Sequence, residues 1–218
     1  MSGARTHRYL AVEGPIGVGK TSFVDALARR MGAERVLEDT DNPFLSAFYR
    51  DRPGAAFQAQ LYFLLTRHKQ LLSLRQGSLF RPTVLADYVF AKDRIFAHLN
   101  LNDDELLIYE RVYDILQAQL PQPDLVIYLQ ASTEVLLERI ALRRRQVEVD
   151  ISPDYVDQVN EAYRYFFYHY RATPLLVIST TDIDFVKRPK DLEELVKEID
   201  RMEGGTRYFV PPSSRAER

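Results

Sequence analysis

The 218-residue chain has no cysteine, which excludes disulfides, cysteine-ligated zinc clusters and thiol nucleophiles, and fits a reducing compartment. Nowhere do about 18 apolar residues follow one another, so no membrane-spanning helix is expected. Met1 to His7 lacks the apolar centre of a secretory signal, and the expectation is a cytoplasmic protein. Neither sign of charge dominates: 29 Lys and Arg stand against 31 Asp and Glu, a net charge of −2. Nothing therefore draws the whole surface to nucleic acid or to anionic membrane, and any anion binding must be local. His7, His68, His98 and His169 are scattered without metal-ligand spacing, and no internal repeat or low-complexity tract interrupts the chain. What remains is an ordinary globular composition, 46% hydrophobic and 28% charged, at a length that fits one α/β domain. That domain is expected over residues 1–203, with residues 204–218, after Gly204-Gly205, read as a flexible tail.

Five short apolar runs read as strands: Arg8 to Glu13, Arg35 to Leu37, Thr83 to Ala86, Asp124 to Gln130 and Leu175 to Ser179. Between them the apolar spacing is helical, as in Thr21 to Met31, Ala55 to Leu74 and Thr133 to Leu142. Near-continuous apolar strands alternating with helices imply a parallel sheet covered on both faces, a doubly wound α/β fold with five strands. Ser152-Pro153-Asp154 is a helix start, and the aromatic run Tyr163 to Tyr170 behind it reads as core or dimer packing, since no basic groove accompanies it. In the long helix from Ala55, Gln60 and Arg67 lie two turns apart on one face.

Gly14-Pro15-Ile16-Gly17-Val18-Gly19-Lys20-Thr21 matches G-x-x-x-x-G-K-[ST], and it stands where that motif works, between a strand and a helix. Gly14, Gly17, Val18 and Gly19 let backbone N–H groups turn inward on phosphate oxygens, and the helix beginning at Lys20, Thr21 and Ser22 adds its positive end. Lys20 is expected on the β- and γ-phosphates of a bound nucleotide, and the Thr21 hydroxyl on Mg²⁺. Glu38 and Asp87 close the second and third apolar runs, which sets carboxylates at strand ends, where Asp87 can hold Mg²⁺ or assist as a base.

Phosphate loops serve small-molecule kinases and hydrolytic switches alike. The N-K-x-D element that reads guanine is absent, and so is any partner-binding repeat. A kinase needs arginines that close over the transferred group. Arg143-Arg144-Arg145, after a helical stretch, supplies them; the alternative is a solvated basic helix end.

Together EGPIGVGKTS (13–22), LEDTDNPFLSAFY (37–49), FQAQLYFLLTRHKQL (57–71), ADYVFAKDRIFA (86–97), PDLVIYLQAS (123–132) and ERIALRRR (138–145) resemble the deoxynucleoside kinase family, most closely its bacterial deoxyguanosine and deoxyadenosine kinase branch. The resemblance runs from about Tyr9 to Ile199. It implies a P-loop kinase fold with an arginine-bearing lid, a homodimer, and transfer of the γ-phosphoryl of ATP to the 5′-hydroxyl of a purine deoxynucleoside, with no nucleic acid or membrane as partner. By the same resemblance Glu38 takes the hydroxyl proton, with Asp39 as the alternative. Tyr49 bonds the sugar 3′-hydroxyl, Gln60 and Arg67 read the base edge, and Phe96 stacks on the base. Arg143 and Arg145 bind phosphate, Glu148 contacts the sugar, and the loop with Asp182 and Phe185 holds the donor adenine. The chain departs from the family at Ala86-Asp87-Tyr88, where many relatives carry an acid followed by Arg and Ser. A gapless match puts Asp87 at the arginine and Lys92 at the base-reading aspartate. A one-residue slip puts Asp87 at the acid and Asp93 at the base reader. Other readings are a monophosphate kinase of the thymidylate kinase type and a nucleotide-binding regulatory protein with slow hydrolysis.

Overall fold

The structure is a computed structural model and describes residues 8–50, 52–74, 83–143, 151–181 and 189–210, with the side chains of Arg143 and Pro189 outside the description. β1 (Tyr9–Glu13) runs through Leu10, Ala11 and Val12, none of which retains any exposure. A strand apolar at every position needs cover on both faces, and β1 has it. Leu10 and Val12 pack with Phe23, Val24 and Leu27 of α1 (Lys20–Met31) and with Leu195 and Ile199 of α8 (Pro189–Asp200). Ala11 faces the other way, into Ile95 of α4 (Lys92–Asn100) and Val159, Tyr163 and Phe167 of α7 (Pro153–His169). β4 (Leu125–Gln130) alternates in the same manner, with Ile127 on the α1 side and Tyr128 stacked on Phe167. Burying side chains of this size stabilises by roughly 1.5–3 kcal/mol each. A third cluster, Leu64 and Leu71 of α3 (Ala55–Ser73) against Tyr109 and Tyr113 of α5 (Asp103–Gln117), extends the core beyond the sheet.

The remaining elements are β2 (Glu34–Val36), α2 (Leu45–Phe48), β3 (Val84–Ala86), α6 (Thr133–Arg143), β5 (Leu175–Ser179) and β6 (Thr206–Phe209). All strand pairs are parallel, in the order β2-β3-β1-β4-β5-β6. The doubly wound parallel sheet is as expected; its strand count is six, not five. The additional strand is β6, inside the segment read as a tail. It registers on β5 from Leu175↔Thr206 to Ile178↔Phe209. Its first three residues are exposed and only Phe209 touches the core, so it has no apolar run to announce it. Two helix starts follow local chemistry. Ser152 caps α7 by accepting from the Tyr155 N–H at 3.1 Å with Pro153 in the first turn, and Asn102 and Glu105 form a reciprocal capping box on α5. In the aromatic run, Tyr163, Phe167 and Tyr170 are core residues, whereas Tyr165 and Tyr168 are exposed.

Because β1 lies between β3 and β4, the chain leaves it in opposite directions, and a crevice opens beyond the carboxyl ends of these strands. Glu13, Glu38 and Asp87 follow or end β1, β2 and β3 there.

Candidate active site

The glycine loop occupies the crevice between β1 and α1. Gly14 lies so close to β4 that a Cβ would stand 2.4 Å from the Leu129 carbonyl oxygen. Gly17 has φ 84°, and a Cβ there would meet the Leu136 carbonyl oxygen at 2.8 Å. Only glycine fits both places. No side chain caps α1 at Gly19, so the N–H groups of its first turn face the cavity and remain available to an anion. Lys20 folds back over the loop and donates to the Gly14 carbonyl at 2.6 Å and the Pro15 carbonyl at 3.3 Å. Burial pushes its ammonium pKa down against the pull of Glu13. The Thr21 hydroxyl donates to Asp87 Oδ2 at 3.3 Å, and Asp87 Oδ1 accepts from the Glu38 N–H at 2.5 Å. Burial pushes the Asp87 carboxyl upward, more than that N–H lowers it.

Glu38 sits between the loop and α3. Arg67 reaches its Oε1 from Nε at 2.7 Å and Nη2 at 2.5 Å, and Lys92 donates to its Oε2 at 2.6 Å. Burial would raise this carboxyl, but Arg67 and Lys92 outweigh it and hold it at about 2, against the ordinary 4.5. The neighbouring Asp39 is exposed and only accepts from the Asp41 N–H; of the two strand-end acids, Glu38 is the one in the cavity.

On α3, Gln60 and Arg67 face inward together and both line the cavity. Each is tied to Asp93: the Gln60 amide donates to Asp93 Oδ1 and, at 2.9 Å, to its carbonyl, and Arg67 Nη1 donates to Oδ2. The Tyr109 hydroxyl completes the set at 3.1 Å. Asp93 itself is 0% exposed. Asp93 lies behind Gln60 and Arg67 and bonds both, and it is not among the residues that line the cavity. Because both partners of the Gln60 amide nitrogen are acceptors, its carbonyl is the end left to face the cavity.

The cavity, of about 980 Å³, brings together residues of the loop from Gly17 to Ser22, Glu38, Tyr49, Gln60, Arg67, Asp87 and Phe96. Phe96 meets Tyr163 edge to face at 6.0 Å, and Tyr49 follows α2. Arg145, Glu148, Asp182 and Phe185, and the side chain of Arg143, lie outside the described residues. No group of three or more acidic, histidine or cysteine residues that would hold a metal occurs among the described residues.

Three site residues escaped the sequence reading. Glu13, fully buried, accepts from the Gly14 and Val89 N–H groups at 2.9 and 3.0 Å and from the Tyr163 hydroxyl at 3.2 Å, 3.9 Å from Lys20. A charged residue ending an otherwise apolar strand just before the glycine loop was its signal. Lys92 lies in the α4 wall beside Glu38. Arg139, on α6, reaches the Val18 carbonyl at 3.2 Å and the Thr180 carbonyl at 2.7 Å, bracing the loop from the other side; its helical spacing alone does not distinguish it from a surface arginine.

A glycine cradle opening a helix, a hydroxyl and a carboxylate beside it, and a buried acid across the cavity define a P-loop phosphotransferase. A family model for deoxynucleoside kinases matches residues 10–202, and the chain belongs to the deoxynucleoside kinase family. It is 34% identical to a deoxyguanosine kinase of Bacillus subtilis (strain 168), over 90% of this chain and 98% of that one. It is 30% identical to a deoxyadenosine/deoxycytidine kinase of the same organism, over 87% and 90%. Among solved structures, the deoxyadenosine kinase of M. mycoides with bound dATP superposes with a TM-score of 0.76 at 25% identity, covering 89% of this chain and all, 100%, of that one.

Proposed function

We propose that the protein transfers the γ-phosphoryl group of ATP to the 5′-hydroxyl of a purine deoxynucleoside, deoxyguanosine or deoxyadenosine, in deoxynucleotide salvage. The observation that carries this reading is the position of Glu38, a buried carboxylate between a phosphate cradle on one side and the Gln60–Arg67 pair on the other. The named activities of the relatives support the purine acceptor. Gln60 and Arg67 bind the base edge, Phe96 stacks on it and Tyr49 holds the sugar. This aligns the 5′-oxygen with the phosphorus, and positioning supplies much of the catalysis in phosphoryl transfer. Glu38 orients the hydroxyl and takes its proton. Lys20, with Arg143 and Arg145 of the lid, neutralises the transferred group; Glu148 meets the sugar, and Asp182 and Phe185 the donor adenine.

Thr21 and Asp87, whose oxygens share one hydrogen bond, fit Mg²⁺. It takes hard oxygen ligands and is held in such sites by one or two protein groups plus substrate phosphates. When bound, the ion draws charge from the phosphate oxygens. The domain reading over residues 1–203, with the tail after it, is kept for the catalytic unit, with β6 added. The cytoplasmic location is kept as part of this proposal; no described helix is long and apolar enough to cross a membrane. A homodimer is supported by the exposed Leu65 on α3 and Leu107, Ile108 and Ile115 on α5.

The test is ADP release with Mg²⁺ and ATP, supplied separately with deoxyguanosine, deoxyadenosine, deoxycytidine, thymidine, dTMP or no acceptor. Release confined to purine deoxynucleosides is expected. Release only with dTMP identifies a monophosphate kinase, and release without an acceptor a hydrolysing switch.

A further inference from the structure

We propose that Lys92 is the acceptor-side cation of the transfer: it pairs with Glu38 while the acceptor site is empty, then moves onto the oxygens of the transferred group and remains on the 5′-phosphate of the product. The inference rests on the kinase reading above.

Four cationic side chains line the cavity among the described residues: Lys20, Arg67, Lys92 and Arg139. Three are committed. Lys20 belongs to the glycine loop, Arg139 braces that loop against Thr180, and Arg67 is fixed between Glu38 and Asp93. Lys92 is held differently. It is the first residue of α4, its side chain is 4% exposed, and its ammonium lies 2.6 Å from Glu38 Oε2, 4.0 Å from Glu13 Oε2 and 6.0 Å from the centre of the Tyr88 ring. Glu38 Oε1 is occupied by two nitrogens of Arg67. An acceptor hydroxyl that bonds Glu38 therefore does so at the second lone pair of Oε2, where it meets the ammonium and crowds it. Arg67 cannot yield, because Asp93 holds its other arm; Lys92, a point charge on a flexible four-carbon stem, can.

A displaced ammonium in a poorly hydrated wall needs another anion. The anion that arrives with the reaction is the transferred group, between Glu38 and Lys20. In the transfer, the bond from the γ-phosphorus to the β,γ-bridging oxygen breaks and its electron pair leaves with ADP. The bond from phosphorus to the 5′-oxygen forms, and the hydroxyl proton passes to Glu38. Lys92 makes and breaks no covalent bond; it follows the negative charge across the site.

The experiment compares wild type, Lys92→Met and Lys92→Arg for kcat and KM. Calorimetry then gives the dissociation constants of deoxyadenosine and deoxyadenosine 5′-monophosphate, and of the guanine pair. In Lys92→Met, kcat and monophosphate affinity are expected to fall at least about tenfold, with nucleoside affinity held within about threefold, the pattern of an interaction made only as charge transfers. Lys92→Arg restores most of both. Equal losses for nucleoside and monophosphate, or no loss for either, overturn the proposal. Wild type that phosphorylates no deoxynucleoside instead overturns the kinase reading, before any variant is made. Should Lys92→Met fail to fold, wild type carrying ¹³Cε-lysine gives the answer by NMR. The resonance missing from Lys92→Arg must shift with the monophosphate and differently with the nucleoside, and a resonance indifferent to the phosphate overturns the proposal.

Discussion

Arg67 holds Glu38 Oε1 with two nitrogens, at 2.7 and 2.5 Å, while its remaining nitrogen holds Asp93. One guanidinium thus joins Glu38 to Asp93, the carboxylate that also holds Gln60. Under the proposed function, base recognition and hydroxyl activation would share this part, and a wrongly seated base would displace Glu38 as well.

Removing the anchor should show that coupling. Asp93→Asn weakens the hold on both Gln60 and Arg67, and breaking a buried pair in this way destabilises by about 3–5 kcal/mol. We expect a lower melting temperature, and in the folded variant a rise in KM for the deoxynucleoside together with a fall in kcat. A double-mutant cycle with Gln60→Ala checks it: additive effects on kcat/KM would separate the two functions.

The reacting groups give a simpler division. Lys20→Ala should abolish nearly all turnover in a protein whose far-ultraviolet spectrum is unchanged, because the lysine contacts loop carbonyls rather than the apolar core. Glu38→Gln should lower kcat by on the order of 10²–10⁴, the usual loss of a positioned base. If only KM rises, Glu38 binds the acceptor and the base lies elsewhere.

Acid stability follows from the same carboxylate. The fold holds Glu38 at about 2 against an ordinary 4.5, so its ionised form is favoured by folding. That contribution, on the order of 3 kcal/mol from a shift of this size, is present above about pH 4.5 and is lost as the pH falls toward 2. Asp87 and Asp93, both pushed upward by burial, act in the opposite sense, and the Glu38 charge adds to the rise at Asp87. Denaturant titrations of wild type and Glu38→Gln should therefore show wild type more stable at pH 7 and the gap narrowing from pH 5 to pH 3. A gap independent of pH would mean that Arg67 and Lys92 do not lower this carboxyl.

Ile115 on α5 is 66% exposed in the single chain, in line with Ile108 two turns earlier. If this face joins two copies, Ile115→Glu should convert a dimer to a monomer in sedimentation velocity. A wild type that sediments as a monomer removes the homodimer.

Most of the frame was legible because its signals are local. The glycine loop states its function in eight residues, and the apolar runs of β1, β4 and β5 need only two covered faces. The pairing of Gln60 with Arg67 was legible from helical spacing. Asp93 was only partly legible for a physical reason: sequence gives its identity and its nearness to Lys92, but which side chains it bonds depends on packing between α3, α4 and α5. Glu13 and Lys92 share that limit, since each acquires its role from a partner on another element.

β6 is the opposite case, a strand whose own residues say little. Thr206, Arg207 and Tyr208 are exposed, and the pairing with β5 rests on backbone bonds, with Phe209 alone packing on the core. Phe209→Ala should then cost about 2 kcal/mol, less than for a fully buried ring, and lower the melting temperature by roughly 4–8 °C in a chain of this size. Turnover at 25 °C should not change, because β6 lies at the edge of the sheet beyond β5, whereas Glu13 ends β1 and Glu38 and Asp87 follow β2 and β3. An unchanged melting temperature would return this segment to the tail that the sequence suggested, and a loss of turnover without a loss of stability would tie the far edge of the sheet to the site.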